Sequence, residues 1–344
     1  MTKSSRALYA TQIVSGIAAA AAAYAFLPGK SSGQSRPVVI ITGGSRGLGL
    51  AIAERFGREG ARLVMAARHA DQLESARQLL IERGCVRSAD DVLLVPGDLT
   101  VQANGKDLVD LAIGRFGAID VLVNDAGIIE VGPVENQPLE AFERAMSINF
   151  YAALYTIQAA MPHMLARFRE RGIRSSIVNI SSIGGKVAVP HLLPYVASKF
   201  ALTGFSEGLH AELRHKGVRV TTVCPGLMRT GSFVEAMFTG QAAEEFKWFT
   251  LGSVTPGVAT TASHAADRIY EAVRRGSAEI TITPQAWLAA RFAGIAPAPT
   301  QFVAAMVNQY ILPAPAGTPT TLTKGFHLRK DTSPTSLEVR NNQV

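Results

Sequence analysis

Tyr195 and Lys199 stand four residues apart in PYVASKFALTGFSEGLHAEL, residues 194–213. Apolar residues recur there at helical spacing, so a helix is predicted, with both side chains on one face. Just upstream stand two hydroxyls, Ser181 and Ser182. A phenol, an ammonium and a hydroxyl are the parts of a general acid/base set. A tyrosine in water titrates near pH ~10, too high for a base at neutral pH. A cation one turn away favours the phenolate and lowers that value. A serine hydroxyl can steady an oxygen on which charge is building. The plain alternative is a Tyr-x-x-x-Lys pair on an exposed helix, with no chemistry at all.

A second stretch suits an anion. TGGSRGLG, residues 42–49, follows an apolar run and opens a helical one. Gly43, Gly47 and Gly49 permit a tight turn and a close approach of backbone to a pyrophosphate, whose charge meets the unpaired N–H groups of the helix start. The spacing is G-x-x-x-G-x-G, so the G-x-G-x-x-G fingerprint does not apply directly. The next apolar run ends MAARHADQ. An acid at that corner would hold the ribose of NAD, whereas an arginine suits the 2′-phosphate of NADP. Ala67 and Arg68 stand there, with Arg46 in the glycine loop, so NADP(H) is preferred over NAD(H) as cofactor.

These groups need elements to hold them. The runs 38–42, 62–67, 92–97, 119–124, 176–181, 218–224 and 279–283 are short, apolar and β-branched, with helical stretches between. Nearly continuous apolar strands are covered on both faces. The alternation predicts an α/β fold, a parallel sheet with helices on both sides and right-handed crossovers. The chain of 344 residues is 47% hydrophobic and 18% charged, so most of it folds around a core. Its net charge is +7, but the basic residues are scattered and do not interleave with aromatics, which argues against nucleic acid. Cys85 and Cys224 have no metal-ligand spacing and are expected to be buried thiols.

Four parts follow. Residues 1–36 hold an apolar stretch, 7–27, and a linker; 37–283 form the catalytic domain; 284–313 carry apolar helices; 314–344 make a flexible tail. The stretch 7–27 has about the length of a membrane span, with Tyr9, Tyr24 and Phe26 near its ends. A cleaved signal and a surface-lying helix are the alternatives. A transmembrane anchor would place the protein on the cytoplasmic face of a membrane; otherwise it is cytoplasmic.

Over residues 37–283 the chain resembles the compact branch of the short-chain dehydrogenase/reductase family. The resemblance rests on the glycine loop, GDL (97–99), NDAG (124–127), SIN (147–149), NISS (179–182), YVASK (195–199) and PGLMRT (225–230). It implies a doubly wound Rossmann sheet of seven strands ordered 3-2-1-4-5-6-7, and hydride transfer between an alcohol and a carbonyl. By resemblance, Tyr195 is the general acid/base and Lys199 its partner. Ser182, thirteen positions before Tyr195, bonds the substrate oxygen, and Ser181 is set aside. Asn149 holds a water that links Lys199 to solvent. Asp98 approaches the adenine, Asn124 the adenosine side, and Thr230 the nicotinamide carboxamide. Ser45, Leu48, Leu99, Ala126, Gly127, Pro225 and Gly226 are placed at the cofactor in the same way. One departure is Asp125, where many members carry a second asparagine that mainly supports the central strand. An aspartate there alters local hydrogen bonding and removes no catalytic group.

Phe233, Met237, Phe238, Phe246, Trp248 and Phe249 form an aromatic, Met-containing lid sequence after Thr230, expected to line an apolar substrate site or to pack the lid itself. His191, Leu192 and Leu193 border the pocket by resemblance. The anchor and the apolar helices resemble membrane-associated hydroxysteroid and retinol dehydrogenases, which implies a lipophilic alcohol or ketone. Trp287, Leu288, Phe292 and Ile295 suit an interface. The alternatives are a ketoreductase for carrier-bound thioesters and a catalytically silent nucleotide-binding scaffold. Family members are often dimers or tetramers, which implies a homodimer or homotetramer. No metal site is expected. Removing residues 1–30 is predicted to shift the protein from the membrane pellet to the supernatant on detergent-free fractionation; unchanged partition contradicts the anchor.

Overall fold

Runs such as VVII and VLV offer water nothing to bond, so they fold only where both faces are covered. In the computed structural model they do so as one sheet. The structure describes residues 36–254, 259–317 and 321–331. The strands are β1 (Val38–Thr42), β2 (Arg62–Ala67), β3 (Val92–Pro96), β4 (Val121–Asn124), β5 (Ser175–Ile180), β6 (Val218–Cys224) and β7 (Glu279–Thr281). All pairings are parallel, and the order is β3-β2-β1-β4-β5-β6-β7, as expected. Boundaries differ from the sequence reading by a residue or two at β3, β4, β5 and β7.

Two cores flank the sheet. On one side α1 (Gly47–Arg58), α2 (Ala70–Glu82) and a later helix, Ala262–Arg275, pack Ile52, Leu73, Leu80 and Ile269 onto Ile41, Leu63 and Met65. On the other, α3 (Gln102–Phe116), α5 (Ala152–Arg171) and α6 (Leu193–Leu213) pack Leu108, Ile157, Met164 and Leu213 onto Ile40, Leu122 and Ile177. The order reverses between β1 and β4, so the crevice of a doubly wound sheet opens at their carboxyl ends. Residues 147–151 form a π-helical turn between α4 (Leu139–Met146) and α5, a distortion that often marks functional sites. Cys85 and Cys224 are free and buried.

A smaller layer sits over the crevice. Short strands Glu130–Val131, Met237–Phe238 and Thr323–Lys324 pair side by side, and α7 (Ala242–Val254) follows the middle one. The third strand and the helix after it, Gly325–Asp331, correct the expectation of a flexible tail for that part of 314–344. Gly325 donates its N–H to the Ala236 carbonyl at 2.9 Å, and Leu328 packs on the lid. A two-residue strand carries no periodicity by which the sequence could announce it. Apolar helices at Pro284–Ile295 and Pro297–Tyr310 overlap the two expected at about 287–295 and 300–312.

Among the described residues no helix is long and apolar enough to cross a membrane. Residues 7–27, where a span was expected, lie outside the described residues. Leu122 is fully buried at the centre of the sheet. Replacing it with Ala is predicted to cost about 2–5 kcal/mol in urea unfolding; an unchanged midpoint contradicts this packing.

Candidate active site

The crevice is a cleft of about 490 Å³. Its floor is the turn after β1. Gly47 stands at φ +57, a left-handed conformation that a side chain would strain. A Cβ on Gly49 would lie 2.4 Å from the Gly43 carbonyl oxygen. The loop therefore packs backbone against backbone, and the N-cap residue of α1, Arg46, makes no side-chain cap. That leaves the helix start as a cradle for an anion. Gly43, Ser45, Arg46, Gly47 and Leu48 line the cleft, with Arg68, Asp98, Leu99, Ala126, Gly127 and Thr230 around them. Asp98 accepts from the Thr100 N–H at 3.0 Å and hydroxyl at 2.8 Å, which fixes that outer corner. Arg46 pairs with Glu235 of the lid at 2.9 Å, both half-exposed. An exposed pair of this kind is weak, and a phosphate can displace it.

Tyr195 and Lys199 reach the cleft from the first turns of α6. The Lys199 Nζ donates to the Ile180 carbonyl at the end of β5 at 2.8 Å, and lies 5.7 Å from the centre of the Tyr195 ring. Ser182 is the neighbour that favours the Tyr195 phenolate. Ser182 Oγ accepts the Gly184 N–H at 3.0 Å. Ser181 borders the cleft, but its hydroxyl is engaged with the Lys199 carbonyl at 3.1 Å and Thr203 Oγ1 at 2.6 Å.

Burial dominates the charges. It pushes the Tyr195 phenol up to about 12, against the influence of Ser182 and with a further push from the Asp125 carboxylate. It pulls the Lys199 ammonium down to about 8, against the attraction of Asp125. It raises Asp125 to about 7, against Lys199 and the Gly49 N–H that donates to its carboxylate. The expected lowering of the phenol by Lys199 is therefore not seen in the protein itself: burial raises it, and the opposing influence comes from Ser182.

The structure separates several expected residues from the cleft. The Asn124 side chain is buried in the core: its amide donates to Asn179 Oδ1 at 2.9 Å and its oxygen accepts from Thr156 at 2.7 Å. Asp125, one residue on, lines the cleft instead. The two exchange the parts expected of them, since successive residues of an extended chain face opposite ways. Asn149 Oδ1 accepts the Ile128 N–H at 2.8 Å, and its amide donates to the Ile128 carbonyl at 3.2 Å and to Ser198 Oγ at 2.8 Å. It thus secures the loop beneath Lys199 rather than presenting itself to the cleft. Pro225 and Gly226 lie behind the wall: Pro225 accepts the Ile183 N–H at 2.8 Å, and a Cβ on Gly226 would meet Thr283 at 2.4 Å.

The lid aromatics also turn away. Phe233, Phe238, Phe246 and Phe249 pack with Leu192 and Val196 in a buried cluster, because a layer this thin must make its own core. Of the six residues read as lid candidates, Met237 lines the cleft, beside Ile128, Ile129, Ile148 and Met228. Beside the apolar wall of Ile128, Ile129, Ile148 and Met228, sequence reasoning missed the Ile180 carbonyl, which leaves no mark in a side-chain pattern, and Lys324, brought in by the short C-terminal strand.

A parallel sheet with a nucleotide-type glycine loop and a cleft at its switch point defines a Rossmann-type α/β protein. A family model for short chain dehydrogenase matches residues 37–241. A dehydrogenase/reductase SDR family protein 7-like of Anopheles gambiae is 34% identical over 248 residues, covering 72% of this chain and 75% of the relative. Human dehydrogenase/reductase SDR family member 7 is 31% identical over 208 residues, covering 60% of this chain and 59% of its own. Among solved structures, a short-chain dehydrogenase from Streptomyces avermitilis aligns with TM-score 0.64 at 26% identity, over 81% of this chain and 97% of that one. An actinorhodin polyketide ketoreductase solved with NADPH aligns with TM-score 0.62 at 27% identity, over 74% and 98%. The chain belongs to the short-chain dehydrogenase family, and is an oxidoreductase of that family.

The position of Asn124 yields a prediction. Asn124→Ala strands the Asn179 amide oxygen, at about 1–3 kcal/mol, whereas the Thr156 hydroxyl keeps the Ala152 and Ala153 carbonyls. Urea unfolding is predicted to show the loss, while the Kd for NADPH by fluorescence titration changes little. Normal stability with lost NADPH binding would contradict the buried role.

Proposed function

We propose that the protein is an NADP(H)-dependent oxidoreductase that interconverts an alcohol and a carbonyl, with Tyr195 as general acid/base, on a lipophilic substrate such as a steroid, a retinoid or a long-chain carbonyl. The observation that carries the reading is Tyr195, with Ser182 beside it, on a cleft shared with Lys199 and the glycine loop. The cradle fits a dinucleotide: Gly47 lines the cleft with no side chain to fill it, and the start of α1 has no side-chain cap. A nicotinamide dinucleotide, when bound, supplies the hydride and, in its oxidised form, a positive ring.

This chain's residues do the rest. The α1 N-terminus holds the pyrophosphate, and Arg68, with Arg46 once it leaves Glu235, holds the 2′-phosphate at the end of β2. In reduction Tyr195 Oη gives a proton to the substrate oxygen. Ser182 Oγ accepts from Gly184, which leaves its own proton to donate, toward the phenol in the protein alone and toward the substrate oxygen once one is bound. Lys199 is held by the Ile180 carbonyl and its charge is supported by Asp125, and so it favours the phenolate left once the proton is given up. Fixed geometry of this kind is worth several kcal/mol of barrier.

The apolar wall of Ile128, Ile129, Ile148, Met228 and Met237 supports a lipophilic substrate. Trp287, Leu288, Phe292 and Ile295 are 50–85% exposed, which supports membrane association together with the sequence of residues 7–27. Exposed Tyr151 and Phe200, beside and on the long helices α5 and α6, support a homodimer or homotetramer. A second reading, a ketoreductase for carrier-bound thioesters, is favoured by the likeness to the actinorhodin enzyme.

A panel of ketones, aldehydes, alcohols and an acyl thioester, assayed with both cofactors, tests the proposal. Tyr195→Phe is predicted to lose about 10²–10⁴-fold in kcat. Turnover equal to wild type would remove Tyr195 from the chemistry. NADPH is predicted to outperform NADH, and Arg46→Ala with Arg68→Ala to erase the gap. Should NADH be the better donor, these arginines do not set the preference.

A further inference from the structure

His191 and Glu245 are buried, ionisable and outside the chemistry described above. Glu245 lies on α7 with no exposure at all. Its Oε1 meets His191 Nδ1 at 2.8 Å, and its Oε2 accepts the Trp248 indole N–H at 2.6 Å. A carboxylate is this deeply buried only when donors satisfy it. His191 holds φ +63, the one left-handed non-glycine backbone among the described residues. Such a conformation costs of order 1–3 kcal/mol and persists only where its surroundings enforce it. Here they do: the His191 carbonyl accepts the Gly132 N–H at 2.8 Å, while its ring is aimed at Glu245.

The loop holding His191 leads straight into α6. Leu192 and Val196, on either side of its first turn, pack against Phe233, Phe246 and Phe249 of the lid. Val196 is the next residue after Tyr195. The polar bond and the aromatic cluster thus join the lid to the turn that aims the phenol.

We propose that His191 and Glu245 form a latch that holds the lid helix on the entry to α6, which makes His191 a positioning residue for Tyr195 and for the substrate wall at Met237. The latch couples seating of the lid to placement of the acid/base; its kinetic consequence rests on the reaction proposed above. His191 itself touches neither substrate nor cofactor.

The chain has two tryptophans, so Trp287→Phe leaves Trp248 as the sole indole, next to the latch. In that background His191→Gly removes the ring and relieves the backbone. Glu245→Met removes the carboxylate at similar volume. His191→Asn keeps a donor and tolerates the left-handed backbone. Acrylamide quenching of Trp248 is predicted to rise about twofold in the Gly and Met variants, with a red-shifted emission, as expected when a lid loosens. Their kcat/KM for the carbonyl is predicted to fall about tenfold with KM for NADPH held, and the Asn variant to restore most of both. Unchanged quenching in His191→Gly overturns the latch. Raised quenching with intact kcat/KM overturns the positioning role. If the Trp287→Phe parent reduces no carbonyl with NADPH, the functional reading and the positioning role fail together, while quenching still decides the latch.

Discussion

A buried ammonium governs this site. Lys199 is only 5% exposed, and burial works against its charge. Two things oppose burial: the Ile180 carbonyl on Nζ, and the Asp125 carboxylate across the cleft. Asp125 is itself held at the positive end of α1, where the Gly49 N–H reaches it. The cation thus depends on the end of β5, the residue after β4 and the turn after β1 all arriving together. A parallel sheet with its reversal between β1 and β4 is the arrangement that brings them together.

The same ends are tied below the cleft by a buried polar chain. Thr156 donates to Asn124, Asn124 to Asn179, and Asn179 to Ser206, which also accepts from Thr222. The chain links β4, β5 and β6 to α5 and α6 through groups that are all satisfied. Satisfied networks of this kind rigidify a core and admit few alternatives. Tyr195 and Lys199 stand on α6, so the helix that carries the chemistry is fixed from beneath as well as from the lid.

Much of this was legible in the residues. Apolar β-branched runs marked all seven strands, because a strand covered on both faces has no freedom to be polar. The glycine loop was legible because its turn excludes side chains. What escaped depended on direction rather than type. Asn124 and Asp125 are neighbours at a strand end, and the sequence does not say which one faces the core. The lid phenylalanines have the composition of a pocket, yet a thin layer needs them for its own packing. Lys324 escaped because a two-residue strand has no period to read. The phenol's charge balance escaped because it depends on depth of burial, which a four-residue spacing does not reveal.

The ionisation of Tyr195 tests the account most directly, read as the phenolate difference absorbance between wild type and Tyr195→Phe across alkaline pH, with and without oxidised NADP. The account predicts a phenol near 12 in the protein alone, moving clearly downward once the positive ring is bound. A value that stays where it was with the oxidised cofactor bound would contradict it.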